Sequence, residues 1–172
     1  MRKVRDSFLS RFDIPNLGRL GIPVVLLVAL FAACAEKTPD PWRDLPGRNA
    51  YVFHCGACHG KRGLGSKNLF PPLAGSPWAN GPVDVPIRVV LQGLEGELTV
   101  NGEDYMNIMP GLGKRLKDSE VAEILTFVRS AFGNQSGPVT AADVARVRAE
   151  TKDRKRMWKV PQLEPMLKGT GE

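Results

Sequence analysis

Five residues, Cys55-Gly56-Ala57-Cys58-His59, constrain this chain more than any other stretch. Two cysteines three positions apart lie on one face of a helix. With a histidine directly after them, the pattern C-x-x-C-H reads as an attachment site for haem. The two sulfurs form thioether bonds, and the histidine is the proximal ligand of the iron. Two competing chemistries fit less well. A structural zinc site takes four ligands in a tetrahedron, whereas the chain has 3 Cys and 2 His in all, and the second histidine, His54, directly precedes Cys55. A thioredoxin-like dithiol needs an alternating strand–helix frame, and no such pattern surrounds residues 55–58. A loop-rich chain with 18 Gly and 14 Pro has difficulty burying enough apolar surface alone, and a haem wrapped by the chain would supply the missing core.

Upstream, a basic segment leads into an apolar one. Residues 1–33 hold five basic and two acidic side chains, half of the net charge of +6. The +3 that remains is not a nucleic-acid-binding balance, so no nucleic-acid partner is expected. The apolar run Ile22–Ala35 is 14 residues long, short of the roughly 20 that span a bilayer, and suits the h-region of an export signal. It ends in Phe31-Ala32-Ala33-Cys34, which resembles the bacterial lipobox, although Phe31 stands where Leu is usual. Residues 1–33 are therefore expected to be a lipoprotein signal peptide, with Cys34 as the lipidation site and membrane anchor. The competing readings are an ordinary signal peptide with an incidental cysteine, or an uncleaved anchor. Lipidation also explains an odd cysteine in an exported protein. The expected location is the periplasmic side of a bacterial membrane. Residues 35–46 are polar and Pro-rich and read as a linker.

The central region divides by its own signals. Gly47 to His59 is expected to form a helix, and Gly60, Gly63 and Gly65 to break it. Phe70-Pro71-Pro72-Leu73-Ala74-Gly75 reads as a rigid turn rich in carbonyl acceptors, one of which suits the second ring N–H of a proximal histidine. Leu73 is a natural haem-packing side chain. A plain surface polyproline turn is the competing reading. Val83 to Gly93 predicts a short helix with Ile87, Val90, Leu91 and Leu94 at helical spacing. Glu97 to Tyr105 alternates around Asn101-Gly102, a strong hairpin signal. Asp118 is expected to cap a last helix running to Phe132, with Val121, Ile124, Leu125, Val128 and Phe132 as its apolar stripe, ended by Gly133-Asn134.

A haem with one histidine ligand needs a second axial donor or leaves its iron open. His54 lies on the wrong side, and no other histidine remains. A methionine thioether is a suitable soft donor that raises the potential. Met109 precedes Pro110, which holds it extended and suited to presentation from a loop. Met106 is its nearest rival, Met157 and Met166 fall in a polar tail, and an open iron site is the remaining alternative.

These elements together resemble a class I c-type cytochrome over residues 47–134: C-G-A-C-H early, P-P-L-A-G in the middle and I-M-P before the final helix. F-P-P-L-A-G-S-P-W, V-L-Q-G-L, T-V-N-G, M-P-G-L-G and E-I-L-T-F-V-R-S-A-F-G-N are similar to bacterial monohaem cytochromes, found alone or attached to periplasmic dehydrogenases and nitrite reductases. The resemblance implies a mostly α fold, the class I cytochrome c fold, with a small β-hairpin insertion. It implies one covalent haem c attached to Cys55 and Cys58, with His59 proximal and Met109 distal on the iron. Pro71 takes the place whose carbonyl accepts from the proximal histidine, and Trp78 matches a tryptophan beside a propionate. Gly47 and Tyr51 match a glycine and an aromatic that cross the last helix, here near Ile124 and Phe127. Lys117 departs from the usual Ser or Thr helix cap.

The implied activity is electron transfer without catalysis of a substrate. The alternatives are a haem subunit of a dehydrogenase or nitrite reductase complex, or a haem protein with a labile distal ligand that binds peroxide or a gas. Residues 135–172 read as a basic extension. In it Thr140-x-x-Asp143 resembles a capping box for a short helix from Asp143 to Glu150. A strap packed over the domain competes here with a partner-docking or anionic-lipid segment. Lys61, Arg62, Lys67, Lys114, Arg115 and Lys117 flank the ligand motifs and are expected to steer redox partners with acidic docking surfaces, against the alternative of ordinary solubilising charge.

Overall fold

Gly47 has φ +80°, and a Cβ there would run into the Glu123 carbonyl and the Phe127 side chain. Only glycine allows so close an approach of two backbones. The computed structural model describes residues 39–168, and from Pro41 onward the chain is a single unit. Helix α1 (Arg48–His54) starts at this glycine and crosses α5 (Asp118–Ser130) there. The Gly47 N–H donates to Glu123 Oε1 at 2.8 Å. Tyr51, fully buried, packs its ring 5.3 Å from those of both Phe127 and Phe132. The predicted crossing near Ile124 and Phe127 is thus centred on Glu123 and Phe127.

The single helix expected over 47–59 is two. Cys55 leaves helical geometry at φ −122°, and α2 (Gly56–His59) restarts after it. The Cys55 carbonyl accepts from both Cys58 N and His59 N, so the attachment motif occupies its own tight turn. Next come α3 (Pro77–Asn80) and α4 (Asp84–Gln92), the latter burying Val85, Ile87, Val90 and Leu91. Strand β1 (Gly93–Glu95) follows α4 directly. Strands β2 (Leu98–Val100) and β3 (Glu103–Tyr105) pair as the predicted hairpin, with Asn101 and Gly102 both at positive φ, as a tight hairpin turn requires. Leu98, Val100 and Tyr105 face inward.

A second small sheet was not foreseen. In it β1 lies between β4 (Met109–Pro110), antiparallel, and β5 (Trp158–Lys159), parallel. Strands of two or three residues leave no readable alternation in the sequence.

Helix α5 differs from expectation at both ends. Lys117, extended, is its N-cap residue, and Asp118 is the first helical residue. Its start is fixed by Glu120, whose carboxylate accepts from Lys117 N at 2.9 Å. The helix ends at Ser130, because Phe132 adopts φ +61° and turns its ring back onto Tyr51, Phe127 and Trp42. Aromatic packing outweighs the cost of a left-handed residue here. Trp42, within the linker segment 35–46, meets Phe132 edge-on at 4.9 Å.

The C-terminal extension packs on the domain. Helix α6 (Ala141–Glu150) begins two residues before the predicted Asp143, since Thr140 is its cap and exchanges hydrogen bonds with Asp143. Val144 and Val147 are fully buried in the main core. A further helix, α7 (Val160–Leu167), contains Pro165 and anchors Val160 and Leu163 in a second core beneath the hairpin. The predicted signal segment 1–33 and Cys34 lie outside the described residues.

Candidate haem site

A cleft open to solvent draws its lining from both hydrophobic cores. Cys55 and Cys58 line one rim, Cys55 half-buried against the core and Cys58 exposed. Pro71 and Leu73 form the proximal wall beside His59, and Trp78 enters from α3. Val90, Leu94, Leu98 and Val100, together with Ile124, Leu125 and Val128 of α5, supply further lining, and Met109 of β4, paired with Leu94, joins them. The lining is almost entirely hydrocarbon, which suits a flat macrocycle and excludes water. Among the described residues no three His, Cys, Asp or Glu side chains gather around a common point.

His59 is 8% exposed. Its Nδ1 lies 3.0 Å from the Pro71 carbonyl oxygen, which leaves Nε2 as the free ligating atom. Burial lowers the pKa of the imidazole, partly offset by the Pro71 carbonyl. The ring is therefore held neutral, the form that ligates a metal. Burial, helped by neighbouring Cys58, pushes the Cys55 thiol up to about 11. The Tyr51 hydroxyl, raised chiefly by burial, donates to the Gly60 carbonyl at 2.6 Å and fixes the turn after the motif.

That turn is knitted by backbone bonds: Gly65 N donates to His59 O, while Leu73 N and Ala74 N both donate to Gly63 O. Gly65 has φ +66°, and a Cβ on it would strike the Phe70 carbonyl and the Pro71 backbone. A glycine is required there for Pro71 to reach the imidazole.

The structure brings Cys55, Cys58, His59, Pro71, Leu73, Trp78 and Met109 into one cleft. It does not bring Met106 there, whose side chain is 76% exposed. Two residues that sequence reasoning passed over organise the wall. Asn134, read only as a helix stop, is buried and uses its full side chain. Its Oδ1 accepts from Gly75 N and Asn80 Nδ2, and its Nδ2 donates to Leu73 O and Val128 O. No spacing signal marks it. Arg129 donates to the carbonyls of Gly137, Ala79 and Gly81. Its signal was available: it stands four residues after Leu125, on the apolar face of α5, where a charge needs buried acceptors.

The sequence profile of the family described as Cytochrome c matches residues 45–132. The chain belongs to the cytochrome c family. Haem c, bound covalently with its iron, is the cofactor of that family, and the residues of the cleft fit it. The cytochrome is 37% identical over 109 residues to the cytochrome c subunit of a quinone alcohol dehydrogenase from Gluconacetobacter polyoxogenes, covering 61% of this chain and 23% of that one. It is 38% identical over 108 residues to the gluconate 2-dehydrogenase cytochrome c subunit of Pantoea cypripedii, covering 60% and 24%. It is 34% identical over 105 residues to cytochrome c-552 of Thermus thermophilus, covering 56% and 79%. The cytochrome thus spans about a quarter of the dehydrogenase subunits it matches and most of the small cytochrome. Members of the family are electron carriers or haem subunits of dehydrogenases, not catalysts themselves, which is the class of activity expected here.

Proposed function

We propose that this cytochrome carries one haem c on Cys55 and Cys58, with His59 and Met109 as axial ligands. In this reading it transfers single electrons as an exported protein tethered by lipid on Cys34 to the periplasmic side of a bacterial membrane. One observation carries the proposal. His59 and Met109 line the same apolar cleft as the two cysteines, with His59 Nδ1 already engaged by Pro71. When bound, the haem supplies an iron that cycles between Fe(III) and Fe(II). Pro71 orients the imidazole and raises its basicity. Met109 offers a soft sulfur that favours the reduced state. Leu73 and the aliphatic residues of α4 and α5 would keep water from the group, and Trp78 lines the same cleft. With His59 and Met109 both holding the iron, no place on it would be left for a substrate.

The tether is supported by Phe31-Ala32-Ala33-Cys34. No helix among the described residues is long and apolar enough to cross a membrane. Partner encounters are supported by the surface near the mouth. Ile108 lines the cleft and is 59% exposed, and Leu69, tied to Asn107, is exposed beside it. Lys61, Arg62, Lys67, Lys114, Arg115 and Lys117 are all exposed. Exposed apolar side chains together with exposed cations near the ligand motifs in sequence suit redox partners with acidic docking surfaces.

A second reading, that the cytochrome is a stable haem subunit of a dehydrogenase complex, is favoured by the similarity to such subunits. Co-purification after gentle detergent extraction separates it from a free carrier. The central experiment is the visible spectrum of the native protein and of Met109→Ala, each with carbon monoxide. The native ferrous protein is expected to bind carbon monoxide slowly or not at all, and the variant rapidly. An unchanged axial ligand in Met109→Ala would overturn the ligation, and rapid binding by the native protein would favour a gas-binding role.

A further inference from the structure

The residues before Met109 form an arm with little support of its own. Met106, Asn107 and Ile108 are all exposed. The arm reaches the domain through one bond from Asn107 Nδ2 to Leu69 O and through β4, whose two residues pair only with β1. Two strands of this length do not form a stable sheet alone. The third strand comes from the C-terminal extension. Leu94, the middle residue of β1, is paired with Met109 on one side and with Trp158 on the other.

Trp158 is held more firmly than a surface strand needs. The Arg154 guanidinium lies over its ring at 3.5 Å from the centroid, and Arg88 approaches at 5.5 Å. Its Nε1 donates to Gln92 Oε1 at 3.1 Å, and Gln92 Nε2 donates in turn to Thr151 Oγ1 at 2.5 Å. The indole is thereby fixed to the last turn of α4, the helix that runs straight into β1.

The extension also grips the chain beyond Met109. Arg148 of α6 donates to Gly113 O at 2.6 Å and to Leu116 O at 3.0 Å, and it pairs with Asp118 at 2.7 Å. The segment from Met109 to Asp118 is therefore held directly by the extension at Gly113, Leu116 and Asp118, while its Met109 end rests on β1 and α4, which the extension braces from the other side.

We infer that the C-terminal extension, acting through Trp158, is a positioning device that holds Met109 closed over the cleft. The inference rests on the proposed ligation by Met109. Trp158 touches no reacting atom; it acts by completing the sheet on which the methionine is carried. Removing it leaves β4 on a two-stranded ladder, so that the arm opens more often.

The test uses the full-length holoprotein and three readouts: carbon monoxide binding to the ferrous form, the charge-transfer band of methionine-ligated ferric haem, and amide exchange over residues 93–95 and 107–111. Trp158→Ala is expected to bind carbon monoxide about tenfold faster, as the open fraction rises, with weaker charge-transfer absorption and faster exchange at both strands. Trp158→Phe, which keeps a ring under Arg154 but loses the Nε1 donor, should fall between. Val85→Ala, a fully buried change in the first turn of α4 outside the extension and the cleft lining, is the control for stability alone and should leave all three readouts near native. If Trp158→Ala does not retain haem, Gln92→Leu, which cuts the indole's anchor, takes its place. Trp158 or Gln92 variants that match Val85→Ala in all three readouts overturn the positioning role while leaving Met109 as ligand. A Met109→Ala protein with the native charge-transfer band overturns the ligation, and the positioning role with it.

Discussion

The two sides of the cleft are built by opposite means. On the proximal side, Cys55, Cys58 and His59 share one short turn, and the Pro71 carbonyl reaches the imidazole from twelve residues away. Gly65 and the bonds around Gly63 keep that loop closed. The distal side has no such local support. Met109 sits on a two-residue strand paired only with β1, which follows the end of α4 and is paired on its other edge by the C-terminal extension. A proximal site made of neighbours in sequence survives damage elsewhere, while a distal site made of distant segments depends on the whole fold.

The largest effect that would test this contrast is on the cofactor itself. Replacing both Cys55 and Cys58 with Ala should abolish covalent haem. Haem staining after denaturing electrophoresis reads this, and a persistent stained band would mean attachment elsewhere. Gln92→Leu, a distal change, should leave that band at native strength. Next is Asn134→Ala, which strips four hydrogen bonds from the wall behind Leu73 and Gly75. Buried groups left unpaired there should lower unfolding free energy by about 2–4 kcal/mol, measured by denaturant titration. Arg148→Ala should cost less, about 1–2 kcal/mol. Its exchange increase should be confined to residues 113–118, and an increase spread over the proximal loop would contradict the division between the two sides.

The smallest effect is a dependence on acid. Asp84 lies between Arg146 and Arg88 on the seam of α4 and α6, and its carboxyl is depressed chiefly by its hydrogen bond to Arg146. A carboxyl whose pKa is lowered on folding stabilises fully above its ordinary value and loses that contribution as pH falls through the depressed one. The contribution of this partly exposed pair should be about 0.5–1 kcal/mol. It should vanish in acid and be missing at every pH in Asp84→Asn, as thermal unfolding across a pH series would read.

Legibility from sequence divides along the same line. The C-x-x-C-H turn, the Pro-Pro loop, the helix after Val83, the Asn-Gly hairpin and the last helix announce themselves by spacing and turn chemistry, because their causes lie within a few residues. Met109 stood out through Pro110, again a local cause. What stayed hidden depends on distant partners. The strand at Met109 exists because β1 is there to pair with it, and nothing in Trp158-Lys159 advertises a strand without Leu94 beside it. Asn134 looks like any helix terminator until four groups from three other segments converge on it. The basic residues of the extension read as a charged tail, yet Arg146 and Arg148 are committed to Asp84, Glu150, Asp118 and two backbone carbonyls.

The parallel pairing of residue 94 with residue 158 also sets a cost. It joins segments far apart in sequence, so forming it closes a long loop, whereas the turn that carries residue 59 closes within a few residues. The two walls of one cleft therefore differ in the chain entropy that each must overcome to form.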